Sequence, residues 1–262
     1  MVTFKYKGAY DLNDLIQLIA LLRGPGGCPW DQEQTHSSNR RNFLEEAYEA
    51  AEAFDRDDPA LMCEELGDML MQVLFNIRME EEQGRFGLAE VTDGVCKKLI
   101  FRHPHVFGSD KADTSDEVLV HWEERKRQEK HFTHPSDALD AVARSLPALW
   151  RADKLQNKAE RVGFAEKHFE DALVRLSEQE KRFFAAVPGG SDAEEQLGAL
   201  LFAAVRAGRL AGLDPEQALH RYCERYISSF RQVEEQLLAE GRSWQEASAE
   251  EISVRRKQTE EK

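Results

Sequence analysis

The chain has 262 residues, a length that allows one large domain or two modest ones. Hydrophobic residues make up 41% of it, and the excess of Asp and Glu over Lys and Arg gives a formal net charge of −14 at pH 7. So acidic a chain is a poor candidate for wrapping a nucleic-acid polymer or for binding an anionic membrane, and we expect neither partner.

The N-terminal stretch contains no apolar core of signal-peptide length, and no run reaches the roughly 18 apolar residues of a membrane span. We therefore expect a soluble, cytoplasmic protein. The four cysteines are far apart and show no CxxC spacing, which disfavours zinc and disulfide frameworks. Two of them, Cys63 and Cys96, are predicted to be small buried residues.

The first predicted helix covers residues 11–23. Its apolar residues recur at helical spacing, and Asp11 or Asn13 is placed to cap its N-terminus. The glycine-rich segment 24–27 ends this helix. A single amphipathic helix with a polar cap is therefore expected before the first glycine-rich turn.

Residues 28–38 are predicted to form a loop that carries Trp30 and His36. Just ahead of an acidic helix, these two side chains could place an aromatic face and a polar edge against a ligand. Alternatively, Trp30 fills a gap in the core and His36 makes hydrogen bonds within the loop.

Two acidic segments with helical apolar spacing follow, between Phe43 and Asp68, and a proline-containing turn at residues 55–59 separates them. The pattern predicts a helical hairpin with acid on both arms. The acids are Glu45, Glu46 and Glu49 on the first arm, and Glu64, Glu65 and Asp68 on the second.

A rotation of 100° per residue indicates which way these acids point. On the first arm, Glu46 lies beside Ala50 of the apolar stripe, and Glu49 comes next round the helix. On the second arm, Glu65 and Asp68 lie in the same arc as Phe75, whereas Glu64 does not. The acids expected to face inward are Glu46, Glu49, Glu65 and Asp68, with Glu45 at the margin.

Four carboxylates that converge between packed arms need a counter-charge. Each like-charged pair at about 4 Å costs roughly 4 kcal/mol at an effective dielectric near 20, and burying an unpaired ion costs several kcal/mol more. Hard divalent cations prefer carboxylate oxygens, and bound Mg²⁺ keeps waters that a phosphate can replace. The pattern therefore predicts a site for Mg²⁺, or Mn²⁺; the alternative is two solvated helix faces.

The second arm is predicted to run from residue 59 to about 83, and the next helix from 88 to about 102. Lys98 and Arg102 are four residues apart on this helix, so they share a face. Two cations near a carboxylate site could bind anionic phosphates. The alternative is ordinary surface charge at the end of a helix.

Beyond this point, His103 and His105 flank Pro104 in a predicted packed turn, and residues 131–137 are predicted to be a linker. No β pattern is apparent. The remaining predicted helices cover residues 117–129, 141–161, 169–187, 192–210 and 214–238, with a turn at 188–191.

The second half of the chain repeats part of the first at an offset of 131 residues, which pairs segment 64–70 with segment 195–201. The repeat keeps the apolar frame and loses the acids. Gln196 and Ala199 replace Glu65 and Asp68, and Ser177 and Glu180 fall at the places of Glu46 and Glu49.

These motifs resemble those of the MazG family of nucleoside triphosphate pyrophosphohydrolases. The family signature, EExxE followed by ExxD, is matched by Glu45–Glu49 and by Glu65–Asp68. The resemblance spans nearly the whole chain, since three flanking segments are also similar to longer family members. They are residues 27–36, residues 102–107, and residues 144–149 through 162–164.

The resemblance implies an all-α fold of two tandem helical-bundle domains, 1–135 with intact acids and 136–262 degenerate, that assembles into a dimer. It also implies Mg²⁺-dependent hydrolysis of a nucleoside triphosphate to the monophosphate and pyrophosphate. In that case Glu46, Glu49, Glu65 and Asp68 would hold the metal, Glu45 or Glu49 would orient the attacking water, and Lys98 and Arg102 would face the phosphates.

Two other functions fit some of the same residues. The loss of the acids from the second half is compatible with a non-catalytic regulator that binds a nucleotide or a partner helix. A di-iron carboxylate bundle would need two inward Glu-x-x-His pairs, and only Glu33 and His36 have that spacing, in a predicted loop. Which base or sugar is preferred cannot be inferred from the sequence.

Overall fold

The structure is a computed structural model that describes residues 4–186 and 190–260. Throughout these residues the chain forms helices and no strand, which confirms the all-α class. The helices are α1 (Leu12–Arg23), α2 (Pro29–Glu33), α3 (His36–Arg56), α4 (Pro59–Glu82), α5 (Leu88–Arg102), α6 (Pro104–Phe107), α7 (Ser115–Glu129), α8 (Pro135–Asp140), α9 (Ala148–Glu160), α10 (Phe169–Ala185), α11 (Ser191–Leu210), α12 (Pro215–Ala239) and α13 (Ala249–Glu260), with a 3₁₀ turn at Trp244–Glu246.

The chain divides into two compact units, one up to Lys126 and one from Arg127 onward. The division falls within α7, nine residues before the domain boundary predicted after residue 135. The prediction that both halves are domains of one kind stays a prediction. In the part of the chain that the structure describes, no helix combines the length and the apolar character needed to cross a lipid bilayer.

Polar caps set the starts of the helices that position the acids. Asp11 accepts hydrogen bonds from the backbone N–H groups of Asn13 and Asp14 at the start of α1. Asp58 does the same for Ala60 and Leu61 at the start of α4, where Pro59 occupies the first helical position. Because these caps are local, the sequence was sufficient to predict both starts.

The core of the first unit lies between α1 and α4. Ile19 of α1 packs with Leu74, Phe75 and Met79 of α4, and all four side chains are buried. The three α4 residues lie on one face of that helix, so only this face of α4 packs against α1. This contact fixes the C-terminal half of α4.

Helices α3 and α4 form the predicted hairpin. Asp57 between them adopts a left-handed conformation with φ of 51°, which ends α3 and reverses the chain. Ala50 and Ala53 are fully buried on α3. Small side chains at these positions let the two backbones approach closely, so side chains on the facing surfaces can meet.

In the second unit, α10 and α11 pair, and α9 packs on both α11 and α12. Val205, Val233 and Leu237 are its most completely buried large side chains. Helix α13 packs along α12. The unit thus has its own core, contributed mainly by α11 and α12.

Several boundaries differ from the prediction. Part of the predicted loop 28–38 is helical in α2, part of the predicted linker is helical in α8, and α9 begins only after Pro147. Helix α13 was not predicted, because half of its twelve residues are charged and they show no apolar stripe. Of the predicted helix end at Val187 and turn at 188–191, residues 187–189 lie outside the described part of the chain.

The prediction for the cysteines is wrong, since Cys63 and Cys96 are both exposed. Cys63 lies in the first turns of α4, away from the half that packs on α1. Cys96 lies in α5, where every residue from 89 to 101 is exposed. Helical spacing shows which residues share a face, but it does not show whether another element covers that face.

Candidate metal centre

Three of the predicted acids meet between α3 and α4. Glu46 and Glu49 from α3 and Glu65 from α4 each offer one carboxylate oxygen, and these oxygens all lie within 4.8 Å of one another. Glu46 and Glu65 are half-buried, whereas Glu49 is exposed and closes the group on the solvent side. The inward orientation predicted for Glu49 is therefore only partly right.

The donor set suits a hard divalent cation. Ligand oxygens about 2.0–2.6 Å from a single ion lie no more than about 5 Å apart, and the three carboxylates already meet that condition. All the donors are oxygen atoms, which Mg²⁺ and Mn²⁺ prefer to softer ligands. The exposed side at Glu49 leaves room for waters or for a phosphate.

The electrostatics of the group favour a cation. Burial and the neighbouring charge of Asp68 raise the pKa of Glu46 above its ordinary value, although a hydrogen bond with Gln72 opposes this effect. Loss of hydration and the carboxylate of Glu49 raise the pKa of Glu65 in the same direction. Repulsion among the acids is thus only partly relieved by the protein itself.

The two remaining signature acids lie at different distances from this group. Asp68 is half-buried one turn beyond Glu65 on α4, and its charge acts on both Glu46 and Glu65. It borders the three carboxylates without belonging to their 4.8 Å group. Glu45 is exposed, with a carboxylate oxygen 4.0 Å from Nε of Arg41. This exposed position agrees with the helical phase, which placed Glu45 at the margin of the inward-facing acids.

A series of polar contacts extends from the acids along the same interface. Asn39 Nδ2 donates a hydrogen bond to Gln72 Oε1 at 2.9 Å, and both side chains are buried. Further along, His36 Nδ1 lies 2.8 Å from Asn76 Oδ1, and its Nε2 contacts Glu80. These contacts hold the two helices in register and orient Gln72 towards Glu46.

Sequence reasoning assigned no role to Asn39, Asn76 or Glu80. A signal was present, because Asp68, Gln72, Asn76 and Glu80 recur every four residues on an otherwise apolar helix. Such spacing marks one helix face. The hydrogen bonds of Arg85 and His36 lower the pKa of the buried Glu80, so this end of the face carries compensated charge.

The predicted substrate-binding residues are not brought together as a set. Trp30 is 59% exposed, which excludes a role as a core residue. His36 is occupied by Asn76 and Glu80. Lys98 is exposed on α5, whereas Arg102 is buried, with its guanidinium carbon 5.0 Å from the centre of the Trp122 ring.

The fold and the site define a class: an all-α protein with a group of three carboxylates between two paired helices, close enough together to ligate one cation. A sequence profile described as the MazG nucleotide pyrophosphohydrolase domain matches residues 34–107, which contain both acidic arms. The chain is also similar to curated proteins along most of its length.

Two of these bacterial relatives show how far the similarity extends. The nucleoside triphosphate pyrophosphohydrolase of Escherichia coli K12 is 38% identical over 239 residues, which cover 88% of this chain and 89% of the relative. The nucleoside triphosphate pyrophosphohydrolase/pyrophosphatase MazG of Thermotoga maritima is 35% identical over 239 residues, or 91% of each chain. The chain belongs to the MazG family of nucleoside triphosphate pyrophosphohydrolases.

Proposed function

We propose that this chain hydrolyses nucleoside triphosphates between the α and β phosphates and releases the monophosphate and pyrophosphate. The observation that carries the proposal is the convergence of Glu46, Glu49 and Glu65. Polyanionic substrates approach such a site only with a cation that neutralises both partners. Relatives named for this activity match most of the chain, which supports the same conclusion.

Mg²⁺, or Mn²⁺ in its place, is the proposed cofactor. When bound, it would polarise phosphate oxygens and make a coordinated water more acidic. Its proposed ligands are Glu46, Glu49, Glu65 and Asp68. Glu46 and Glu65 have the half-buried positions and raised pKa values expected of acids that a cation would keep ionised.

Glu49 has a second proposed role, because it is the exposed member of the group and faces the side from which water and substrate arrive. A carboxylate there can accept the proton of the attacking water. Glu45, one turn earlier and also exposed, is the alternative base. Gln72 holds Glu46, and Asn39 in turn holds Gln72, so the ligand geometry is supported from within the hairpin.

The proposed contacts to the rest of the substrate come from α5 and from the segment before α3. Lys98 offers an exposed ammonium group to the phosphates, and Arg102 stabilises the same helix end through Trp122. Trp30 offers an exposed aromatic face to the base. His36 fixes the start of α3 on α4 through Asn76 and Glu80.

We assign the activity to the first domain, proposed as residues 1–135. In the second, residues 136–262, helices α10 and α11 pair as α3 and α4 do. However, Ser177, Gln196 and Ala199 stand at the places of Glu46, Glu65 and Asp68. Among the described residues of the second half, no group of carboxylates comparable to that of Glu46, Glu49 and Glu65 is found.

The proposed assembly is a homodimer. Val91, Val95 and Leu99 lie four residues apart on α5 and are 37–43% exposed, next to Ile100 at 53%. An apolar stripe of this kind usually marks a protein interface. We place the enzyme in the cytoplasm, acting on free nucleotides rather than on nucleic-acid polymers or at membranes, in keeping with its net charge of −14.

Replacing one carboxylate without changing its shape tests the site. Glu49→Gln should lower pyrophosphate release with Mg²⁺ by about 10²-fold or more, because the residue is both a ligand and the proposed base. Glu52→Gln is the matched control, since Glu52 lies on the same helix and is exposed and paired with Arg56. Glu180→Gln is the control in the second unit. Both controls should keep nearly full activity.

Equal turnover by Glu49→Gln and by its controls would refute the site assignment. The assay is run with a panel of nucleoside triphosphates and with excess EDTA as the metal-free reference. Binding of a triphosphate with Mg²⁺, measured calorimetrically in the absence of any turnover, would instead indicate a nucleotide-binding regulator.

A further inference from the structure

A polar side chain of α3, Asn42, lies at one edge of the candidate metal centre. It is half-buried and comes four residues before Glu46 and seven before Glu49, so the three side chains share one face of the helix. Four residues of helix rise about 6 Å. Asn42 therefore lies one helical turn from the nearer carboxylate, on the side away from the reversal at Asp57.

The contacts of Gln72 show where Asn42 lies relative to α4. Gln72 hydrogen-bonds with two residues of α3, Glu46 and Asn39. These two are seven residues apart, and Asn42 lies between them on the same helix face. Asn42 therefore borders the line along which α3 and α4 meet, next to the carboxylates.

The side-chain amides of Gln72, Asn39 and Asn42 form a chain of hydrogen bonds with a single direction. An ionised carboxylate only accepts hydrogen bonds, so Gln72 presents its Nε2 to Glu46. Oε1 of Gln72 then accepts from Nδ2 of Asn39 at 2.9 Å. Oδ1 of Asn39 in turn accepts from Nδ2 of Asn42 at 3.5 Å. The carboxylate of Glu46 thus determines the orientation of each amide in sequence.

The chain ends at the carbonyl oxygen of Asn42. Among the described residues, none donates a hydrogen bond to this Oδ1. The atom is also absent from the group of buried side-chain atoms that lack a partner, so solvent reaches it. Asn42 therefore presents a neutral acceptor at the edge of the centre, which suits a ligand group with an O–H or N–H bond.

The chemistry of a nucleoside triphosphate decides which of its parts can meet Asn42. Phosphate oxygens are acceptors and make no hydrogen bond with an amide oxygen, whereas sugar hydroxyls donate. In the proposed reaction the α phosphate lies at the carboxylates, and one oxygen and one methylene group join it to the sugar. The sugar hydroxyls therefore lie about one helical turn, roughly 6 Å, from the centre, which matches the separation of Asn42 from Glu46.

We propose that Asn42 is a specificity-determining residue whose Oδ1 accepts a hydrogen bond from a sugar hydroxyl of the nucleoside triphosphate. The inference rests on the proposed hydrolysis at the carboxylates and adds the substrate group that is recognised beside them. Asn42 does not hold the metal. It aligns the nucleoside, so the site distinguishes a triphosphate that has the hydroxyl from one that lacks it.

The test compares nucleoside triphosphates that differ only in the sugar. With the base that the parent protein hydrolyses fastest, kcat/KM for pyrophosphate release is measured for the ribose, 2′-deoxy, 3′-deoxy and 2′,3′-dideoxy forms in Mg²⁺. Loss of the recognised hydroxyl should lower kcat/KM about three- to tenfold, the usual effect of one uncharged hydrogen bond. The singly deoxygenated form that loses as much as the dideoxy form identifies the hydroxyl.

Two variants at Asn42 and one control assign this preference. Asn42→Leu removes the acceptor at nearly constant volume, so it should slow the ribose form by the same factor and leave the dideoxy form nearly unchanged. Asn42→Asp keeps an oxygen acceptor and should keep the preference, even though its charge lowers both rates. Asn157→Leu makes the same change at a half-buried residue of α9 and should affect no sugar.

A purely structural role of Asn42 would give a different pattern. If the residue only supported Asn39 and Gln72, its loss would disturb the ligand Glu46. Asn42→Leu would then weaken Mg²⁺ binding and slow all four sugar forms equally. We expect instead that the Mg²⁺ affinity of Asn42→Leu, measured by calorimetry without nucleotide, equals that of the parent.

Three results would overturn the inference. They are a parent that hydrolyses all four sugar forms equally, an equal loss for all four forms in Asn42→Leu, and a loss confined to bases that carry an amino group. The third would assign the hydrogen bond to the base. A parent that releases pyrophosphate from no triphosphate would refute the proposed hydrolase activity and this inference with it, whereas an active parent that ignores the sugar would refute this inference alone.

Discussion

Gln72 connects the acidic centre to the rest of the hairpin. Its side chain hydrogen-bonds with Glu46 and accepts a 2.9 Å bond from Asn39. Asn39 is 2% exposed and Gln72 is 7% exposed. Neither side chain can turn to water without opening the helix pair, so their mutual bond decides the orientation of a proposed metal ligand.

Removing one partner of this bond should destabilise the fold. We expect Asn39→Leu to lower the free energy of unfolding by about 1–3 kcal/mol, because it leaves a buried amide oxygen without a donor. Urea denaturation measures the loss. In the double variant Asn39→Leu/Gln72→Leu no such oxygen remains, so at least half of the loss should be recovered. A single variant as stable as the parent would contradict this account.

For individual residues, the sequence alone was sufficient to predict part of the candidate metal centre. The helical phase placed Glu46, Glu65 and Asp68 towards the partner helix, and each is half-buried. It placed Glu49 inward as well, but Glu49 is exposed. Phase is defined relative to a helix's own axis, whereas burial depends on how far the partner helix covers that face. The burial of Arg102 beneath Trp122 escaped prediction for the same reason, since that contact depends on α7.

Among the helices, those that combine a local cap with an apolar stripe were predicted, and α13, which lacks the stripe, was not. Asp11, Pro59 and Asp214 marked the starts of α1, α4 and α12. Helix α13 has a cap, because Ser248 Oγ accepts a hydrogen bond from the backbone N–H of Glu251 at 3.2 Å, but it has no apolar stripe. It is held to the segment after α12 through Glu251, which accepts hydrogen bonds from Arg242 at 2.7 and 2.8 Å; within the helix, Arg255 donates to the same carboxylate at 2.8 Å.

Helix α13 should therefore detach in acid. The hydrogen bonds of Arg242 and Arg255 lower the pKa of Glu251 from 4.5 to about 2. A lowered carboxylate pKa contributes stability that is complete above the ordinary value and is lost as the pH falls towards the folded-state value. Amide exchange of residues 249–260, corrected for its intrinsic pH dependence, should accelerate between about pH 4.5 and pH 2.

The variant Glu251→Gln serves as the control for this titration. It should show fast exchange in the same helix already at neutral pH, with little further change in acid. Exchange that is equally slow in both proteins at pH 7 would show that the apolar contacts of α13, rather than the arginine pairs, hold it on α12.

For the whole molecule, the exposed stripe on α5 makes the oligomeric state testable. Leu99→Glu places a charge in the stripe, beside Ile100, so we expect it to convert a dimer into a monomer in light-scattering measurements at micromolar concentration. Lys97→Glu, on the opposite face of the same helix and exposed, should leave the dimer intact. A monomeric parent protein would contradict the proposed assembly.

In the hairpin, the acids proposed to bind the metal lower the stability of the metal-free fold. Near the turn at Asp57, α3 and α4 bring together acids that repel one another, while the opposite end is held by compensated pairs such as Glu80 and Arg85. Glu65→Gln should accordingly raise the melting temperature in metal-free buffer while abolishing activity, and saturating Mg²⁺ should reverse the order, because ligand binding stabilises only the parent. The native sequence is thus locally frustrated where it is proposed to work.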